Sequence, residues 1–207
     1  MAWFNLESLA VLLSLGYLVL AVRENSVCWY LAFFSTSIYV YIFATVSLYM
    51  ESLLNVYYMG MAVYGWYQWK RAGLQRVGCD ICRWPPSWHL LIICAVFVGS
   101  LISAQILQAY TDAKFPFLDS FTTWGSIVAT VMVARKVLEN WLYWLVIDAL
   151  SIIIFVDREL YQTALMFVLY LILAAIGYYN WRKIYRKEST NASGELVAEM
   201  EALEKSE

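Results

Sequence analysis

Three side chains stand out for the chemistry they can do together. Trp141, Trp144 and Asp148 follow a W-x-x-W-x-x-x-D spacing, three and then four residues apart, which lines all three along one face of a helix. The stretch around them is almost wholly apolar, and an acid in such a place costs about 2.5–3.5 kcal/mol at the centre of a membrane span. It is expected to face a cavity or a partner. No Lys or Arg lies near the middle of any apolar block, so the natural partner is a cationic or donor-rich ligand. The two indoles add flat surfaces for a cationic or aromatic ring, each worth about 0.5–2 kcal/mol when dry. Asn55, also inside an apolar block, is the fourth candidate.

Each of these residues also has a plainer reading. Trp141 suits an interfacial belt, Trp144 suits helix packing, and Asp148 can stay protonated and hydrogen-bond a nearby hydroxyl. Ser35, Thr36, Ser37, Thr122, Thr123, Ser126 and Ser151 are expected to satisfy their own helix carbonyls. Gln68 and Asn180 suit an inner gate or simple packing, and Asp119 and Glu7 suit helix N-termini. Cys79 and Cys82 form one C-x-x-C in a loop near His89, and one pair without a second is not a zinc set. No metal or cofactor is expected.

The elements that must hold these residues follow from composition. Of 207 residues, 62% are hydrophobic and 14% charged, against roughly 25% charged in a soluble domain, and mean hydropathy is +0.61. The apolar residues form blocks of about 20, enough to cross roughly 30 Å of hydrocarbon. Spans are expected near 2–22, 26–46, 49–69, 88–108, 117–134, 140–156 and 160–181. The first block has no basic lead or small-residue cleavage site and reads as a retained span. Outside the last 20 residues, loops after spans 1, 3, 5 and 7 carry eleven Lys and Arg, and the other side carries only Lys114 and Arg158. That imbalance predicts an N-terminus outside and a cytoplasmic C-terminus. The last 20 residues hold six Glu and no aromatic and read as a solvated acidic tail, with a transient helix around Leu196 to Leu203.

Sliding the chain against itself by 112 residues exposes a repeat. Gly65-Trp66-Tyr67-Gln68-Trp69-Lys70-Arg71 falls on Gly177-Tyr178-Tyr179-Asn180-Trp181-Arg182-Lys183, and Arg23 and Trp29 fall on Arg135 and Trp141. Residues 6–71 and 118–183 share 17 identities in 66 positions. The expected architecture is therefore all-α and integral to the membrane, a 3+1+3 parallel repeat like that of the sugar-carrying SWEET proteins. Residues 1–71 form the first three-helix repeat. Residues 72–116 hold a cytoplasmic loop, the connector span and an outer loop, 117–183 form the second repeat, and 184–207 the tail. Carriers of this kind bind substrate between repeats near mid-membrane. Trp144 and Asp148 align with Ala32 and Thr36, so they belong to the second half alone.

The block Asn140-Trp141-Leu142-Tyr143-Trp144-Leu145-Val146-Ile147-Asp148 resembles the PnuC family of bacterial vitamin carriers. So do Phe115-Pro116-Phe117-Leu118-Asp119-Ser120 and Tyr64-Gly65-Trp66-Tyr67. The resemblance covers nearly the whole chain short of the tail. It implies a SWEET-like fold in the bacterial inner membrane, homotrimers among the lipid, and facilitated diffusion of an unphosphorylated vitamin that a cytoplasmic kinase traps. Known substrates in the family are nicotinamide riboside and thiamine, with riboflavin carriers more distant. Nicotinamide riboside members tend to carry amides at the positions of Asn55, Ala62 and Asp148. An ionised Asp only accepts hydrogen bonds, which favours thiamine here and leaves nicotinamide riboside as the alternative.

Other classes find little footing. A net charge of -2 without a basic stripe offers nothing to nucleic acid. One histidine cannot ligate haem within the spans, no paired-carboxylate or nucleophile-base set appears, and no Walker A loop is present. An enzyme is not expected. A sensor that binds the vitamin without moving it remains the reading from another class.

Overall fold

Apolar blocks that must satisfy every backbone group within themselves become helices, and polar punctuation ends them. The computed structural model describes residues 2–45, 49–74, 81–110, 115–157 and 161–204. It contains α1 (Ala2–Val22), α2 (Cys28–Thr45), α3 (Tyr49–Leu74), α4 (Pro86–Tyr110), α5 (Pro116–Ala134), α6 (Asn140–Asp157) and α7 (Tyr161–Glu204). Pro86 and Pro116 open their helices at the first position, where a missing N–H costs nothing. Pro86–Tyr110, Pro116–Ala134 and Ala164–Thr190 are each long and apolar enough to cross a membrane, and Ser8–Val22, Cys28–Ile42 and Asn140–Ile154 are shorter apolar stretches.

Within each repeat the middle helix packs against both of its neighbours: α2 lies between α1 and α3, and α6 between α5 and α7. The repeats join where α3 meets α5 and α1 meets α7. These six helices therefore close a ring, and α4 packs on α5 outside it.

Both repeats turn in the same way. After α1, the N–H of Glu24 bonds the carbonyl of Ala21 at 3.0 Å and that of Asn25 bonds Leu20 at 3.0 Å; after α5, Lys136 bonds Val133 at 3.0 Å and Val137 bonds Met132 at 2.9 Å. This is the Schellman ending, which needs a left-handed residue just past the helix. Glu24 (φ 56°) and Lys136 (φ 52°) are that residue, and they alone among described non-glycine residues have positive φ.

One sequence expectation changes. The seventh helix does not stop near 181, nor is helix confined to 196–203; α7 runs unbroken to Glu204, because Ala, Glu, Leu and Lys are strong helix formers. His89 lies in the first turns of α4, inside the span expected from 88, and its Nδ1 is 3.0 Å from the Tyr143 hydroxyl. Cys79, Lys114 and Arg158 lie outside the described residues.

Candidate substrate cavity

The ring encloses a cavity of about 430 Å³, within the range of small-molecule sites. Trp141, Trp144, Asp148 and Asn55 all line it. α6 carries three of them on its inner face, and α3 brings Asn55 from the first repeat. Asp148 is only 3% exposed and its carboxyl makes no hydrogen bond among the described residues, so the plainer reading of it as hydrogen-bonded glue finds no support. Trp141 is 1% exposed, which removes it from an interfacial belt. Its ring meets that of Trp181 edge-on at 5.4 Å. Trp144 is half-buried and packs against the aromatic core beneath the cavity.

Much of the lining is paired by the repeat. Ser14 and Ser126, Tyr58 and Tyr170, and Trp29 and Trp141 are three equivalent pairs. Tyr58 shares a hydrogen bond with Ser126 and Tyr170 with Ser14, so each bond crosses a repeat boundary. Sequence reading passed over Ser14 and both tyrosines, although the 112-residue offset aligns them. Six lining pairs differ: Leu18 with Thr130, Ala32 with Trp144, Ser35 with Ile147, Thr36 with Asp148, Tyr39 with Ser151, and Asn55 with Phe167. One wall is aromatic and acidic, and the facing wall offers an amide and a hydroxyl. Thr36 spends its hydroxyl on the Ala32 carbonyl at 2.8 Å, and Thr122 does likewise with Leu118 at 3.0 Å. Asp119 lies in the first turn of α5 and also lines the cavity. Among the described residues no Lys, Arg or His does so.

Gln68 and Asn180 do not line the cavity; Gln68 donates to the Tyr64 hydroxyl at 3.0 Å. Among the described residues no group of three His, Cys, Asp or Glu is placed to hold an ion; Cys79 of the C-x-x-C lies outside them. Burial and the Glu139 carboxylate hold the Cys82 thiol above its ordinary range, the opposite of what a thiolate ligand needs.

Two parallel three-helix repeats closed around a lined cavity define a membrane carrier of small molecules. Residues 5–183 match the nicotinamide mononucleotide transporter family, and the chain belongs to that family; it is a multi-pass vitamin transporter of the PnuC type and not an enzyme. It is 28% identical over 221 residues to the nicotinamide riboside transporter PnuC of Escherichia coli, covering 93% of this chain and 90% of that one. It is 29% identical over 136 residues to the riboflavin/roseoflavin transporter RibM of Streptomyces davaonensis, covering 63% of each. The crystal structure of the vitamin B3 transporter PnuC matches with a TM-score of 0.71 at 24% identity, over 88% of this chain and 83% of that one. That likeness supports the fold.

Proposed function

We propose that this protein moves unphosphorylated nicotinamide riboside across the membrane by facilitated diffusion, as its two repeats rock around the central cavity. The observation that carries this reading is the lining: a buried acid on the same wall as Trp144, an amide at Asn55 from the other repeat, and, among the described residues, neither a hydrogen-bond partner for that acid nor a cationic side chain. A pyridinium ring suits the acid and the indole. A phosphate, by contrast, finds two carboxylates and no counter-charge, which favours the nucleoside over the nucleotide. The thiamine expectation drops to second place, because relatives of this chain are named for nicotinamide riboside. It retains one argument: Asp148 accepts only, and an aminopyrimidine donates.

The N-terminus lies outside and the C-terminus in the cytoplasm on the Lys and Arg imbalance of eleven to two. A cytoplasmic kinase traps the vitamin on arrival, and the carrier works as a homotrimer. Trp141, Trp144, Asp148 and Asn55 contact the substrate.

Binding of labelled nicotinamide riboside and thiamine to the purified protein tests the substrate. The riboside is expected to bind more tightly, and tighter thiamine binding reverses the order of the two readings. Asp148→Ala should weaken riboside binding by about ten- to a hundredfold, the cost of losing a buried charge-assisted contact. Unchanged binding removes Asp148 from the site. Binding without uptake into vesicles would instead make the protein a sensor.

A further inference from the structure

The repeat offset pairs two residues of opposite charge, and the fold brings those same two together. Glu24 and Lys136 are related by the 112-residue shift, and the Lys136 Nζ sits 2.5 Å from the Glu24 Oε1. An equivalent pair can touch itself only on the two-fold axis that relates the repeats. The side chains are 14% and 9% exposed, so the contact is shielded from the water that weakens surface pairs. Both residues hold the left-handed backbone of their Schellman endings, so the two turns present equivalent side chains to the axis.

Beneath the ion pair lies a second symmetric layer. The Trp69 indole, from the first repeat, donates to the Val133 carbonyl at 3.2 Å, and Trp181, from the second, donates to the Ala21 carbonyl at 3.1 Å. Each repeat thus holds the end of the other repeat's first helix. The two rings meet at 5.9 Å, and the Lys136 ammonium lies 5.2 Å over Trp69. Neither tryptophan lines the cavity; they stand between its Trp29 and Trp141 floor and the ion pair. The cavity is closed at this basic end. At the other end it reaches Asp119 and the exposed Thr123.

We propose that the Glu24–Lys136 pair is the lock of a gate at the basic end, and that the transport cycle opens this end by parting the pair together with the crossed Trp69 and Trp181 bonds. The proposal rests on the carrier reading but not on the identity of the vitamin. All three contacts lie on or beside the axis, so a rocking motion that separates the repeats there must break them together. The closed arrangement also buries the indole N–H groups of Trp29 and Trp141 without a partner. Opening lets water reach these two donors, which offsets part of the cost of breaking the lock.

The test reads accessibility, so it does not depend on the substrate. Ala32→Cys places a thiol in the cavity wall, and a membrane-impermeant maleimide is applied to vesicles from each face, with the parent chain as background. The Ala32→Cys protein is expected to label slowly from the basic face. Adding Lys136→Glu, which sets two acids against each other, should speed labelling from that face by roughly tenfold through a shift toward the open state. The swap Glu24→Lys with Lys136→Glu should restore slow labelling. Glu24→Gln, which keeps the shape, should give an intermediate rate, and its thermal stability and elution volume show whether the fold is intact. Labelling from the basic face that is no faster in folded Glu24→Gln and in Lys136→Glu than in the Ala32→Cys protein overturns the lock. If labelling responds as expected while neither vitamin is bound or taken up, the gate stands and the substrate reading fails.

Discussion

Gly65 and Gly177 sit where α3 and α7 press flat against the floor of the cavity. A Cβ at Gly177 would lie 2.7 Å from three atoms of the Trp141 indole, and one at Gly65 would crowd Trp29 in the same way. Gly177→Ala should therefore push Trp141 out of place, cost about 1–3 kcal/mol in stability by overpacking, and weaken ligand binding. Gly60 has nothing within 4 Å of such an atom, so Gly60→Ala should leave binding unchanged, and a thermal melt with a binding isotherm on both variants checks the contrast. Equal effects would mean that helix propensity rather than contact sets the cost. The Gly-x-x-x-Trp spacing was visible in both repeats of the sequence, whereas its reason, the ring of another helix, was not.

At the scale of elements, α4 stands outside the ring and needs its own attachment. Residues just before it are clipped to the turn between α5 and α6: Cys82 N–H bonds the Lys136 carbonyl at 3.0 Å, and Leu138 N–H bonds Cys82 at 2.8 Å. Arg83 Nε meets Glu139 Oε1 at 2.6 Å, which raises the guanidinium pKa. Because the Arg83 side chain is 58% exposed, its ion pair is worth no more than about 1 kcal/mol. Glu139→Gln should lower thermal stability by that amount and leave uptake intact. The Cys82 thiol, held above its ordinary range by burial and by Glu139, should react slowly with alkylating reagents at neutral pH and faster as pH rises, which a pH series of labelling rates measures. The distal part of α7 is a different case. The described packing of α7 against the core ends with Ile184 and Tyr185, so a chain ending after Thr190 should still take up vitamin at the parent rate. A lost activity would give the tail a role in the cycle.

For the whole molecule, a ring of two equivalent halves needs no ATP if the cavity simply presents to one side and then the other. Vesicles that contain the carrier and no kinase should fill with nicotinamide riboside to the outside concentration and stop there. Accumulation above that level under an imposed proton gradient would replace facilitated diffusion with proton coupling, and Asp148 would be the first group to examine. The passive expectation and the lock belong together: a gate at the basic end that parts without an energy source leaves the direction of flux to the ligand gradient alone.

The seven helices, the repeat and the four residues that line the cavity were legible in the chain itself. Hydrocarbon thickness dictates block length, and an acid at span centre has to face something other than lipid. Internal symmetry then shows where one half departs from the other, at Trp144 and Asp148. What the chain could not display is which symmetric positions meet. Glu24 and Lys136 look like ordinary loop charges until the two-fold axis passes between them, and Trp69 and Trp181 look like interfacial aromatics until each is found bonded to the other repeat. Contacts on an axis depend on how the halves are placed in space. Hydropathy and periodicity describe each helix singly, so only the tertiary structure could decide that the ring closes at the basic end and which side chains close it.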